Sequence, residues 1–408
     1  MTRMSASEPA FDIVAVRKQF PALEEGAAHF DGPGGSQTPQ AVADAVAATM
    51  TSALANRGQL TPAERRADET VVNARQAMAD LLGTTGQGIV FGRSMTQLTY
   101  DFSRTLAKTW RPGDEVIVTR LDHDANVRPW VQAAEAAGAT LKWLGFDPET
   151  SELDDIAPLL TDRTRLVAVT AASNLLGTRP DTQKIADQAH AVGALVYVDG
   201  VHLTAHAPVD ARYADFYVCS PYKFFGPHLG VLTAAPELLE TLKPDKLLPS
   251  TDVVPERFEF GTLPYELLAG TTAAVEFIAS LGGSGSTRRE RLINSLQLVE
   301  THEDALRDDL EARLAAIPGI TLYGHAANRT PTLLFTLEGH EPSAIADHLA
   351  KAGVNAPAGS FYAYEPARQL GLGAAGAVRA GLAPYNDQSD VDRLVAAVSA
   401  LTGPRGTN

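Results

Sequence analysis

The sequence predicts an α/β fold built on a mostly parallel sheet. Between residues 88 and 233, short β-branched runs alternate with amphipathic segments. Helices that cross over a parallel sheet require that alternation. At 408 residues the chain exceeds what one hydrophobic core usually organises, so a large domain with a smaller companion is expected.

Strands are expected at 89–91, 115–119, 141–144, 166–170, 194–198 and 215–219, with helices at 96–108 and around 129–137. Segment 180–192 reads as a crossover helix, with Asp181 as its N-cap and Gly193 as its stop. Gly282-Gly283-Ser284-Gly285-Ser286 is the clearest flexible stretch, and a long charged helical pattern follows it at 288–316. This organisation divides the chain into a large domain at 31–285 and a small α+β domain at 286–408, with 1–30 packing against the latter. The small domain carries a strand-like run at 332–337 and helices at 342–352 and 389–401.

Apolar residues make up 45% and charged residues 20% of the chain, the balance of a soluble globular protein. A net charge of -15 argues against nucleic acid as a partner, because phosphate backbones are bound by Lys and Arg. Neither a membrane-length apolar run nor a secretory leader is evident, so the expected location is cytoplasmic. The single cysteine, Cys219, excludes an internal disulfide framework and any zinc cluster built on cysteines.

The run Ala194-Leu-Val-Tyr-Val-Asp199-Gly200 sets a carboxylate at the end of a buried strand, where open α/β sheets hold their ligands. Lys223 follows the next apolar strand, within Ser220-Pro221-Tyr222-Lys223-Phe224-Phe225-Gly226-Pro227. Spacing alone leaves an ordinary surface lysine equally open. Taken together, the two segments suit pyridoxal 5'-phosphate (PLP), which needs a lysine amine for its aldehyde and an acid opposite its ring nitrogen. An ionised Asp199 would keep that nitrogen protonated, so the ring could accept electrons from a Cα carbanion.

The ordered motifs resemble the class V aminotransferase family of fold-type I PLP enzymes, and within it the group II cysteine desulfurases. Asp122-His123-Asp124-Ala125-Asn126 is similar to the family's Glu-His-His-Ala-Asn, which implies that His123 stacks on the pyridine face and that Asn126 lies beside the substrate. Ser173-Asn174-Leu175-Leu176-Gly177 resembles Ser-Asn-x-x-Gly and implies Asn174 beside the cofactor's phenolic oxygen. His202 stands where desulfurases carry a glutamine that contacts the same oxygen. The resemblance assigns phosphate contacts to Ser220 and Tyr222, and to the Ser94-Met95-Thr96 turn, where backbone N–H groups open a helix. Arg257-Phe-Glu-Phe-Gly261-Thr262 resembles an element whose threonine reaches the neighbouring subunit's phosphate, which implies a homodimer. Arg379 falls at the position that holds the substrate carboxylate, a task suited to a planar guanidinium.

The resemblance breaks where a desulfurase carries its nucleophilic thiol. That element reads Gly359-Ser360-Phe361-Tyr362-Ala363, with Tyr362 in the thiol's place and expected at the substrate. A phenol cannot carry a persulfide. The expected chemistry is therefore a covalent link to an amino-acid amine followed by a Cα carbanion, leading to β-elimination or transamination. Epimerisation, or a PLP-binding protein without catalysis, stays open. His202 and His206 have the spacing of a zinc pair but lack a third ligand, so no metal is expected.

Overall fold

The computed structural model describes residues 11–402, so the first ten residues of the N-terminal segment lie outside the described residues. A short strand, β1 (Ala28–His29), comes first. The main sheet uses β2 (Ile89–Gly92), β3 (Glu115–Thr119), β4 (Thr140–Leu144), β5 (Thr164–Thr170), β6 (Leu195–Asp199), β7 (Phe216–Cys219) and β8 (Gly230–Thr233). Their spatial order is β2-β8-β7-β6-β5-β3-β4. Strands β7, β6, β5, β3 and β4 run parallel, and β8 runs antiparallel to both of its neighbours. This is the α/β class that the alternating pattern predicts; β8 is the strand it did not single out.

Period-2 alternation divides the buried strand residues between two cores. Val116, Val118, Leu166, Ala168 and Tyr197 face one core with Leu98, Phe102 and Trp130, from the helices Met95–Ala107 and Arg128–Ala137. Ile117, Val167, Val169, Val196 and Val198 face the other, against the helices Pro62–Leu82, Thr182–Ala191 and Tyr265–Ala279. With both faces covered, the central strands read as continuous apolar runs. Asp181 caps its helix as expected, accepting from the Lys184 N–H at 3.0 Å.

The smaller sheet contains β9 (Ile320–Tyr323) and β10 (Thr332–Leu337); β11 (Val354–Asn355) pairs instead with β1. It is completed by β12 (Ala358–Gly359) and β13 (Ala377–Gly381), in the antiparallel order β12-β13-β10-β9. The helix Arg288–Ala315 serves both bodies: Leu292, Leu296 and Val299 join a main-sheet core, while Leu306, Leu310 and Leu314 join the small one. The N-terminal stretch also touches both. Arg17 donates to Asp390 at 2.8 Å, and the Phe20 ring packs on Tyr385 and on Phe225. Among the described residues, no helix is long and apolar enough to cross a membrane.

One glycine positions the site directly. A Cβ on Gly230 of β8 would lie 2.3 Å from the Ser94 carbonyl carbon, so only glycine lets the first turn of the helix Met95–Ala107 settle against the sheet.

Candidate active site

A cavity of about 530 Å³ opens where β5 and β6 end, roofed by the turn at 361–362. Met95, Thr96, His123, Asn174, Asp199, His202, Tyr222, Lys223, Tyr362 and Arg379 all line it. They come from segments far apart in the chain and meet because parallel strands deliver their carboxyl ends to one edge.

Asp199 ends β6, is 3% exposed, and accepts from the Val201 N–H at 2.9 Å. Burial raises its pKa to about 6, the Val201 bond and the Lys223 charge opposing. No cationic side chain pairs with it among the described residues, so the acid can serve a cation that enters the cavity. Lys223 donates to the Pro33 carbonyl and lies 4.9 Å from the Tyr222 ring centroid. Burial, reinforced by Arg379, lowers its pKa to about 7, and Asp199 works in the opposite direction. An amine so placed is a nucleophile near neutral pH.

Burial and the Lys223 charge lower His123 to about 4, so its ring is neutral. Its Nδ1 accepts from the Ala125 N–H at 3.0 Å, which assigns the ring proton to Nε2. Asn174 Nδ2 donates to the Phe361 carbonyl at 3.0 Å and keeps a second hydrogen for another acceptor. Arg379 is 2% exposed and donates through Nη1 to the Asn174 carbonyl at 2.8 Å. Burial lowers its pKa to about 9, still cationic at neutral pH. The Asp124 N–H donates to the Tyr362 carbonyl at 2.8 Å, so the 361–362 turn is pinned from two sides.

Four expected residues are not brought into this cavity. Asn126 is fully buried and engaged away from the cavity: its Nδ2 donates to Asp122 at 2.7 Å and its Oδ1 accepts from Trp130 Nε1 at 3.0 Å. It supports the His123 turn and does not face the cavity. Ser94 Oγ caps the helix Met95–Ala107 by accepting from the Gln97 N–H at 3.1 Å, which leaves the backbone N–H groups of Met95 and Thr96 to meet an anion. Thr262 is exposed and lines a separate cleft with Arg93 and Gln97. Ser220 lies buried just before Lys223 and outside the cavity wall.

Sequence reasoning passed over Phe361, whose carbonyl and ring engage Asn174 and Arg379. It also passed over Asp122, a buried acid that accepts from the Thr170 N–H at 3.0 Å and is pushed up by burial to about 8. Both stood inside motifs already marked for His123 and Tyr362.

The family model of class-V aminotransferases matches residues 28–394. The chain belongs to that family. Class-V aminotransferases are PLP-dependent, and this member is a PLP-dependent enzyme of the cysteine desulfurase-like kind that acts on amino acids. It is 33% identical to protein MT3887 of Mycobacterium tuberculosis, over 96% of this chain and all of the relative. It is also 33% identical to the aminotransferase-like protein FGM3 of Gibberella zeae, over 97% of this chain and all of that one. Among solved structures, the cysteine desulfurase CsdA of Escherichia coli superposes with a TM-score of 0.84 at 30% identity, covering 96% of this class-V chain and 99% of the other.

The side chains of this class-V enzyme fit the cofactor. Arg379 Nε is buried without a hydrogen-bond partner among the described residues, Asp199 lacks a cation, and the Met95 and Thr96 N–H groups open a helix at the cavity wall. A carboxylate, a protonated ring nitrogen and a phosphate would meet those three demands.

Proposed function

We propose that this enzyme removes a proton from Cα of an amino acid and proceeds to β-elimination or transamination, without a persulfide. The observation that carries the reading is the roof turn. Tyr362, in the position where the resembling desulfurases have their thiol, is 77% exposed, with its ring centroid 5.6 Å from that of His123. The chain's only thiol, Cys219, lies fully buried in β7, where burial pushes its pKa up, so it is neither a thiolate nor within reach.

PLP, when bound, supplies the electron sink for charge developing at Cα. The chain's own residues would do the rest. Lys223 would be the covalent anchor and would move the Cα proton with its amine. Asp199 would hold the protonated ring nitrogen, and His123 would cover the ring as a neutral imidazole. Asn174 and His202 would flank the phenolic oxygen. Tyr222 and the Met95 and Thr96 N–H groups would hold the phosphate, and Arg379 the substrate carboxylate. Exposed Thr262 is consistent with a homodimer in which it completes the partner's phosphate site.

The test measures cysteine turnover in wild type and Cys219→Ser, together with Cα deuterium exchange across a panel of amino acids. Exchange on at least one amino acid, with no Cys219-dependent persulfide, is expected. Alanine released from cysteine through a persulfide on Cys219, without exchange on any substrate, would overturn the reading.

A further inference from the structure

Behind His202 lies an acid–base pair that the proposed chemistry leaves unused. His206 Nδ1 and Glu303 Oε2 are 2.8 Å apart, with the Glu303 side chain fully buried. The His206 ring stands edge-on to the His202 ring, 5.0 Å between centroids. His202 lines the cavity, and its Nε2 is held by the hydroxyls of Thr330 at 2.9 Å and Thr332 at 3.0 Å. A chain of contacts, ring against ring between the two histidines and a hydrogen bond from His206 to Glu303, thus runs from the cavity wall to the helix Arg288–Ala315, which serves both cores.

We infer that Glu303, acting through His206, is a positioning residue that sets the electrostatics of His202 toward the cofactor's phenolic oxygen. This rests on the reading of His202 as a neighbour of that oxygen. A buried carboxylate kept only for stability is poorly economical, since an apolar residue would do as well. Glu303 Oε1, moreover, has no partner among the described residues, so the pair is not a saturated structural bridge. Neighbouring charges on the same helix are neutralised elsewhere: Glu300 by Arg179, and Asp304 by Arg307 at 2.6 Å. From the other elements, His206 faces Glu303 and the Tyr385 phenol feels its charge, while Arg379, Lys223 and His206 act on His202.

Burial raises Glu303 to about 7 against the opposing pull of His206, so its carboxyl holds or releases a proton near neutral pH. The 2.8 Å contact gives that proton a direct path from Glu303 Oε2 to His206 Nδ1, a transfer in which the pair gains and loses none. Transfer to His206 places a positive charge against His202, which is itself held neutral by burial. Either threonine hydroxyl can donate to His202 Nε2, which frees Nδ1 to carry the ring proton toward the phenolic oxygen. A glutamine at this position would supply a donor that no such pair could tune.

The test follows the visible absorption of the holoenzyme against pH. Glu303→Gln keeps the shape and a hydrogen bond but cannot exchange the proton. Loss of positive potential beside His202 should raise the absorption midpoint by about half a unit or more, and His206→Asn should move it the same way. In a His202→Gln background, Glu303→Gln should have no effect. In cofactor-free protein, the His202 ring nitrogens should change their NMR shifts on Glu303→Gln. An unmoved midpoint in folded Glu303→Gln and His206→Asn would overturn the coupling, as would an equal shift in the His202→Gln background. If His202→Gln alone moves neither the midpoint nor cofactor affinity, the placement of His202 beside the phenolic oxygen fails, and the inference fails with it.

Discussion

The guanidinium carbon of Arg379 lies 3.8 Å from the centroid of the Phe361 ring. One face of the guanidinium is thereby covered, and the in-plane edge where Nε is unpartnered offers a carboxylate two parallel N–H donors. Both Phe361 and Tyr362 adopt positive φ, 54° and 58°, which non-glycine residues hold only when their surroundings impose it. Their carbonyls, taken by Asn174 and the Asp124 N–H, supply that constraint.

Arg379→Ala is expected to cost about 2 to 5 kcal/mol in kcat/KM, because the substrate carboxylate would be left unpaired. Phe361→Ala should cost about 0.5 to 2 kcal/mol, the range of a partly desolvated cation–π contact. Most of the latter loss should appear in KM. Steady-state kinetics on the substrate found by the exchange panel check both, and a silent Arg379→Ala would remove it from the carboxylate.

Lys223→Ala should abolish the borohydride-reducible adduct with PLP, read by mass spectrometry of the digested protein. Of the chain's eight lysines, Lys223 is the one that lines the cavity. An adduct persisting in the variant would identify another anchor.

Asp199 and Lys223 were legible because each follows a β-branched run that could only be a buried strand, and the ends of parallel strands converge. The helix Pro62–Leu82 opens on a capping box at Thr61-Pro62-Ala63-Glu64, a start signal that lies before the span of alternating strands and helices. The helix Tyr265–Ala279 shows no such signal, since its apolar and small residues run all the way round. Asn126 and Ser94 were assigned to ligands because a motif gives the residue but not its hydrogen-bond partner, and Trp130 and Gln97 had already claimed them. The His206–Glu303 pair spans 97 residues and depends on where one long helix crosses the sheet, which no local pattern encodes.

Thr262→Ala should weaken PLP retention if the threonine completes a neighbouring phosphate site, since its own chain leaves it exposed on a separate cleft. Mixing Lys223→Ala subunits with Thr262→Ala subunits should then restore activity. Each heterodimer would hold one site with both residues intact and one with neither. No recovery in mixtures, with each parent impaired alone, would mean that sites are built within one chain.

The lowered Lys223 pKa gives the cofactor-free protein a definite pH behaviour. Only the free amine attacks an aldehyde, so the rate of PLP uptake should rise with pH through a midpoint near 7, not near the ordinary lysine value of 10.5. The same shift acts on stability. Between about 7 and 10.5 the unfolded chain binds a proton at this lysine that the folded chain does not. Stability therefore increases with pH across that window, and the burial penalty is felt in full below it. Lys223→Met, which fills the space without a charge, should make the cofactor-free protein more stable than wild type at neutral pH and below. That advantage should shrink as pH climbs toward 10.5. Thermal melts of the two proteins across this range, alongside absorbance-monitored PLP uptake, measure both effects. An uptake midpoint close to 10.5, or a melting difference that does not change with pH, would show that Lys223 keeps an ordinary amine in the folded protein.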